Sequence, residues 1–230
     1  MKSLFIANTT GWEVGQTVAI GSSYSNQTED EFAIITAVSN TSLTIDRPLL
    51  HEHYGDSTVT KCNSYGELDT RSVLSRLSRN IHIVGDGFGS TYRIVIDGES
   101  TAIMHAIEVS EAGSSTAAAI TISNNSQLVS ISNSSIHNCP GNCLNILNSA
   151  NSEAIQNVFY KSQGRLVYAQ DSVNLTISLN ILLGALQPLT YLSSTAAVSC
   201  LTVQSHIPIT SSSYVIVTNN TCQGSQGTGY

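Results

Sequence analysis

A periodicity of about 23 residues in the second half of the chain limits its fold more than any other feature. Ile136 aligns with Phe159 and Leu182, His137 with Tyr160 and Leu183, Gly141 with Gly164, Leu144 with Val167, and Asn157 with Asn180, each step having the same offset. A period in the low twenties is too short for a propeller blade, and the segments lack the consensus of a leucine-rich repeat. One such coil cannot bury its inward side chains alone. Coils stacked about 4.8 Å apart make a continuous core in which every strand runs parallel to the next. The pattern therefore predicts an all-β chain folded as a right-handed parallel β-helix, a solenoid of about three short strands per coil. Residues 79–230 carry about six such coils. Residues 1–78 show no clean register and are expected to form an irregular β segment continuous with them. Asn157 and Asn180 are expected at turns, where Asn tolerates left-handed backbone and bonds locally.

Local signals agree. Apolar residues alternate and β-branched residues dominate the apolar runs, which predicts strands and argues against helices. Strands are expected at Thr17–Ile20, 33–35, Ser42–Ile45, Ile81–Val84, 93–96 and 119–122. A chain of 230 residues suits one continuous core. Charged residues make up 11% of it, against about 25% in average soluble domains, so neutral polar groups or attached glycans must keep it in solution. Nine Lys and Arg against 16 Asp and Glu give a net charge of -7, which opposes phosphate binding and argues against a nucleic-acid partner. No apolar run reaches the roughly 18 residues a membrane-spanning helix needs. The apolar start at Leu4 to Ala7 breaks off too early for a signal peptide and looks like a strand continuing from upstream, so Met1 reads as a fragment boundary.

Ordered blocks in the first half carry a family resemblance. The run Gly11-Trp12-Glu13-Val14-Gly15-Gln16-Thr17-Val18-Ala19-Ile20 resembles the W-x-V-G-D-x-I-V-I segment of fibrocystin-like proteins and cell-surface hyaluronidases. Glu29 to Phe32, Leu43 to Leu49 and His51 to Gly55 are similar to later blocks of that family, as is Leu68 to Gly85 with its Leu77-Ser78-Arg79-Asn80-Ile81 core. The resemblance implies a parallel β-helix ectodomain. Gln16 replaces the family's usual Asp, and Ser72-Val73-Leu74 replaces an A-E-V triplet, which removes a carboxylate and weakens any inheritance of catalysis.

Five cysteines leave one without a partner inside the chain. Cys139 and Cys143 suit a local loop-closing disulfide better than a metal site, because no second ligand pair follows. Cys200 and Cys222 are separated by close to one coil length, so a disulfide between stacked turns is expected. Cys62 is the odd one. Seven Asn-x-Ser/Thr sequons, at Asn8, Asn26, Asn40, Asn124, Asn133, Asn174 and Asn219, sit beside polar turn-like clusters and mark N-glycosylation sites if the chain is secreted.

Candidate chemistry is sparse. Asp69, Arg71, Asp86 and Asp97 would be the acid/base and clamping groups of a glycan-cleaving enzyme, which needs two carboxylates about 5 to 10 Å apart. The blander reading makes Asp86 and Asp97 turn residues before glycine and Arg71 an ion-pair partner. His51 and His53 could share a strand face as metal ligands, but a polar turn cluster is favoured. Tyr160, Tyr168 and Tyr191 form either a sugar-stacking stripe or part of the interior. No cofactor or metal is expected. The leading expectation is a non-enzymatic extracellular glycoprotein segment in a cell-surface coat, receptor or filament. It would carry covalent N-glycans and associate end to end or with flanking domains. A polysaccharide hydrolase, hyaluronan-like in substrate, or a glycan-binding module is the alternative.

Overall fold

The computed structural model describes residues 2–23, 27–55, 59–62, 66–69, 71–85, 92–125, 127–186, 199–204 and 214–225. The first part is an ordered antiparallel sheet, which corrects the expectation of an irregular segment. Its strands are β1 (Ser3–Phe5), β2 (Thr17–Ile20), β3 (Glu31–Val38), β4 (Ser42–Ile45) and β7 (Leu74–Arg76), in the order β1-β4-β3-β2-β7. Between β4 and β7 lies a hairpin of β5 (Val59–Cys62) and β6 (Gly66–Asp69). The reason is strict alternation: Ala33 and Ile35 point into a small core with Val18, Leu43 and Ile45, while Phe32 and Ile34 face outward. A repeat search misses this because an antiparallel sheet needs period two and nothing longer.

The pairing turns parallel after β7. The first coil holds β8 (Ile81–Val84), β9 (Ile94–Asp97) and β10 (Ala102–His105). The second holds β11 (Ile107–Ser110), β12 (Ile120–Ser123) and β13 (Val129–Ser132), and the third β14 (Ser135–Cys139), β15 (Leu144–Leu147) and β16 (Ala150–Ile155). The fourth holds β17 (Val158–Ser162), β18 (Val167–Gln170) and β19 (Val173–Ser178), and the fifth β20 (Ile181–Ala185), β21 (Leu201–Gln204) and β22 (Val215–Thr218); β23 (Thr221–Ser225) follows. Every third strand pairs in parallel, giving a first sheet β8-β11-β14-β17-β20-β23, a second β9-β12-β15-β18-β21 and a third β10-β13-β16-β19-β22. The chain is a β-solenoid of four full turns from Ile81 to Ile181, with a fifth closing at Thr221.

The register holds where the repeat was read. Ser135 pairs with Val158 and Val158 with Ile181, each at the offset of 23 that also separates Asn157 from Asn180. Earlier turns are longer. Ile81 pairs with Ile107 at an offset of 26, the same as Asp97 to Ser123, and Glu108 pairs with Ser135 at 27, the same as Ile107 to Ser134. Ile181 pairs with Thr221 at 40, the same as Asn180 to Asn220. Inward residues such as Val109, Ile122, Ile131, Ile136, Ile146, Phe159, Ile177 and Leu182 form one continuous core.

Left-handed residues stack in columns at corners and near the ends of first-sheet strands. Ala106, Asn133, Gln156, Leu179 and Asn219 form one, Gly98, Asn124, Asn148 and Asp171 another, and Glu111, Asn138, Lys161, Gly184 and Gly224 a third, all with φ between 49° and 70°. Asn157 and Asn180 are not among them, contrary to expectation. They lie one residue later, buried, as an amide ladder: Asn157 Nδ2 donates to Asn180 Oδ1 at 3.2 Å and Asn180 Nδ2 to Asn220 Oδ1 at 2.9 Å.

Both expected disulfides form, with Cα atoms 5.3 Å apart for Cys139–Cys143 and 6.1 Å for Cys200–Cys222. The second bridges first-sheet strand β23 to the residue before second-sheet strand β21. It therefore joins the fifth turn to the next, as its spacing predicts, and ties two sheets together in doing so. The antiparallel sheet packs on the outer face of the first solenoid sheet, where Ala19 and Leu77 meet Val158, Tyr160 and Leu183. No helix among the described residues is long and apolar enough to cross a membrane.

Candidate functional site

The packing of the N-terminal sheet decides which solenoid faces stay open. It buries the outer face of the first sheet, including Tyr160, which is 1% exposed. The second sheet keeps its outer face in water. There, Thr121, Asn145, Tyr168 and Thr202 form one half-buried row, and Asp97, Ser123, Leu147, Gln170 and Gln204 the next. Such rows follow from period-two alternation in strands whose other face is the core.

Tyr168 is the centre of this face. Its hydroxyl lies 2.6 Å from Gln170 Oε1 and 3.0 Å from Gln204 Oε1, and the Arg165 guanidinium stacks 4.7 Å from its ring centroid. Asn142 braces the approach: its Oδ1 accepts from Arg165 N at 2.8 Å and its Nδ2 donates to Asn145 at 2.8 Å. Arg165 Nε is buried with no hydrogen-bond partner among the described residues. A donor left so costs about 1 to 3 kcal/mol until something accepts from it.

Just before Arg165 the chain lines a corner groove of about 370 Å³. Glu111, Asn138, Lys161, Gln163, Pro140 and Leu186 form its walls. Glu111, Asn138 and Lys161 meet there because they share the third left-handed column, so coil stacking delivers a carboxylate, an amide and an amine in sequence. Its size falls in the range of small-molecule and saccharide clefts.

Lys161 also faces the seam beneath the N-terminal sheet. Its ammonium lies 5.5 Å from the Phe32 ring centroid and 5.2 Å from that of Tyr160. Burial lowers its pKa, opposed by Asp30 and Glu31. Asp30 is 3% exposed, and Ser22 N donates to its Oδ1. Its Oδ2 has no hydrogen-bond partner among the described residues and abuts two glycines, since a Cβ at Gly184 or Gly224 would lie 2.8 or 2.5 Å away. Burial pushes this carboxyl up to about 7, against the Ser22 amide, Lys161 and His53.

The sequence-derived candidates scatter. Asp97 ends β9 and accepts from Ser123 Oγ at 3.0 Å, a link between coils. Arg71 is exposed, and its carbonyl accepts from Gln223 Nε2 at 2.9 Å. Asp69 ends β6, with its side chain outside the described residues, as is Asp86. Asp97 and Arg71 thus serve different sheets. His53 Nδ1 lies 2.9 Å from Gly21 O and its Nε2 3.0 Å from Glu31 Oε1, which places it in a polar cluster with Glu31. Tyr191 lies outside the described residues, so of the three tyrosines only Tyr168 is placed on an open face.

A second polar cluster gathers on the first sheet. His82 Nε2 and His137 Nε2 lie 3.2 and 3.0 Å from Glu108 Oε1, and Arg79 N donates to Oε2. Burial raises the Glu108 carboxyl, but its bonds to His137 and Arg79 outweigh that and hold it below the usual range. Ser110 Oγ meets the same His82 nitrogen at 2.8 Å, so the serine and the carboxylate compete for one atom and form no nucleophile relay. Of the sequons, Asn8, Asn40, Asn124, Asn133 and Asn219 are exposed, Asn174 is half-buried with its amide bonded to Asn151, and Asn26 lies outside the described residues.

Glu111, Asn138, Lys161, Gln163 and Arg165 do not stand out in the sequence. The one signal for them is the repeat step that carries Asn138 onto Lys161.

No family model and no curated protein sequence matches the chain. Among solved structures it is similar to the tailspike protein gp49 from Pseudomonas phage LKA1, with a TM-score of 0.39 and 14% identity over 88% of this chain and 34% of that one. It is also similar to the Gp54 tailspike of Acinetobacter baumannii bacteriophage AP22, in complex with A. baumannii capsular saccharide, with a TM-score of 0.34 and 13% identity over 89% of this chain and 35% of that one. The chain spans about a third of the length of each. These likenesses lend no support to the fibrocystin-like or hyaluronidase resemblance of the sequence.

Proposed function

We propose that the chain is a glycan-binding β-solenoid segment of an extracellular protein, with the corner groove and the Tyr168 face as its binding surface. The observation that carries this reading is the unpartnered Arg165 Nε beside an aromatic ring held by two glutamines. Sugars offer apolar C–H faces and rings of hydroxyls. An aromatic plane with fixed amide and guanidinium groups around it answers both. Coil stacking repeats polar rows along the solenoid axis, which suits an extended polysaccharide. Two disulfides agree with an oxidising, extracellular setting. The resemblance of the N-terminal blocks supports placing the segment in a fibrocystin-like surface protein with N-glycans at its exposed sequons.

Hydrolysis is the second reading. Asp30, protonable near neutrality and beside the groove lysine, favours it. Its enclosure behind two glycines favours binding without cleavage.

Retention of the chain on an array of bacterial and animal polysaccharides tests the proposal. Tyr168→Ala is expected to weaken binding about 3- to 10-fold, the contribution of one aromatic stack. Equal retention of wild type and of a Tyr168→Ala, Lys161→Ala double variant would discard this surface. Shortening of a bound polysaccharide, abolished by Asp30→Asn, would promote the second reading.

A further inference from the structure

We infer that the seam between the N-terminal sheet and the solenoid holds a second binding site, for the carboxylate of an acidic sugar residue, built on Arg76, Arg79, Trp12 and Ser75. These four side chains line a pocket of about 350 Å³ whose apolar wall is Leu74, Val158 and Ile181. The fold brings them together from both sides of the seam. In β7, Ser75 pairs with Ala19, and alternation turns it with Ala19 and Leu77 toward the outer face of the first solenoid sheet, where Val158 and Ile181 lie. Arg76 follows in the same strand, and Arg79 stands where the chain passes into the first coil. The pocket shares no residue with the corner groove or with the Tyr168 face.

Its charge is uncompensated. Arg76 is exposed, and its Nη1 donates to Gly11 O at 3.1 Å. Arg79 is half-buried: its Nε donates to Asn133 O at 2.8 Å and its Nη1 to Arg76 O at 2.8 Å and Ser78 O at 2.9 Å, which leaves Nη2 without a partner among the described residues. Every acceptor is a backbone carbonyl, so both guanidiniums are fixed in place and neither is neutralised. Among the described residues no carboxylate lies within ion-pair distance of either. Burial and the neighbouring Arg76 both press Arg79 below its ordinary pKa, opposed by Glu108, whose carboxylate is already engaged by His82 and His137. Two of the nine cationic side chains of an acidic chain thus stand together without a counter-charge.

A separate observation points to the occupant. Ser75 is 3% exposed, and its hydroxyl is buried with no hydrogen-bond partner among the described residues. A buried hydroxyl in that state costs stability until an acceptor reaches it. An oxyanion answers the hydroxyl and both guanidiniums at once, and the planar guanidinium fork matches a carboxylate better than any neutral group. The rest of the pocket suits a ring. Trp12 is half-buried and offers an aromatic plane, the wall of Leu74, Val158 and Ile181 receives C–H faces, and the volume falls in the range of clefts for a single small ligand. The inference stands on residues that the proposed Tyr168 surface does not use, so either can fail alone.

Trp12 is the sole tryptophan of the chain, so tryptophan fluorescence reports this pocket directly. Titration of the full chain with galacturonate at constant ionic strength is expected to give a saturating change with a Kd of about 1 mM, while galactose, the same ring without the carboxylate, gives none. Arg76→Gln removes one charge from an exposed position and is expected to weaken galacturonate binding at least ~10-fold. Ser75→Ala is expected to weaken it about 3- to 10-fold while leaving the melting temperature unchanged or higher, because the free chain loses an unsatisfied hydroxyl. A serine with a purely structural role would lower the melting temperature instead. Circular dichroism confirms that each variant folds. Equal responses to galacturonate and galactose overturn the inference, as does equal binding by wild type and Arg76→Gln. Inorganic sulfate that saturates the pocket where galacturonate does not overturns the assignment to a sugar.

Discussion

Asp30 concentrates the electrostatics of the molecule in one carboxyl. Its pKa rises from 3.8 to about 7 on folding, chiefly by burial, so the folded state favours the protonated form. The contribution to stability is therefore fully present below about pH 3.8 and is lost as the pH rises through about 7. Glu31 and Glu108 run the other way: their lowered values add stability above the usual carboxylate range that is lost as the pH falls. Asp30→Asn is expected to flatten the decline between pH 4 and 7 and to raise the melting temperature at pH 8, measured by thermal unfolding across that range. An unchanged pH profile would show that Asp30 is not the group responsible. None of this is legible in the sequence, because Asp30 gains its environment from Gly184 and Gly224, far along the chain.

The strands and corners show where sequence reading succeeds and where it stops. Expected strands at Thr17–Ile20, Ser42–Ile45 and Ile81–Val84 match β2, β4 and β8, because alternation needs only local residues. The coil register was readable from Ile136, Phe159 and Leu182 because those coils share one length. Longer coils of unequal length hid the earlier turns, and a conformational detail hid the roles at the corner. Asn157 and Asn180 looked like left-handed turn residues, whereas Gln156 and Leu179 take that conformation and the amides turn inward. This yields a paired prediction in denaturant unfolding. Asn180→Ala strips partners from Asn157 N and Ala154 O, two buried backbone groups, and is expected to cost about 2 to 3 kcal/mol. Leu179→Gly relieves an exposed left-handed leucine and is expected to be neutral to stabilising by up to ~1 kcal/mol. If the two substitutions shift the midpoint equally, the ladder is not what holds that corner.

At the scale of the whole molecule, the net charge of -7 sets like-charged copies against one another. The proposed glycan surface was legible only as Tyr168. Its neighbours reach it through stacking, and the N-terminal sheet that leaves this face open by covering another has no period longer than two to announce it. The unequal turns have one more consequence. From Asn180 to Asn220 the chain advances by 40 where the preceding step, Asn157 to Asn180, takes 23, yet β20, β21 and β22 keep their partners. The surplus is thus accepted outside the strands without a slip of register. The strands act as a fixed rack, so successive turns can differ in length by as much as 17 residues while each ladder keeps its partners.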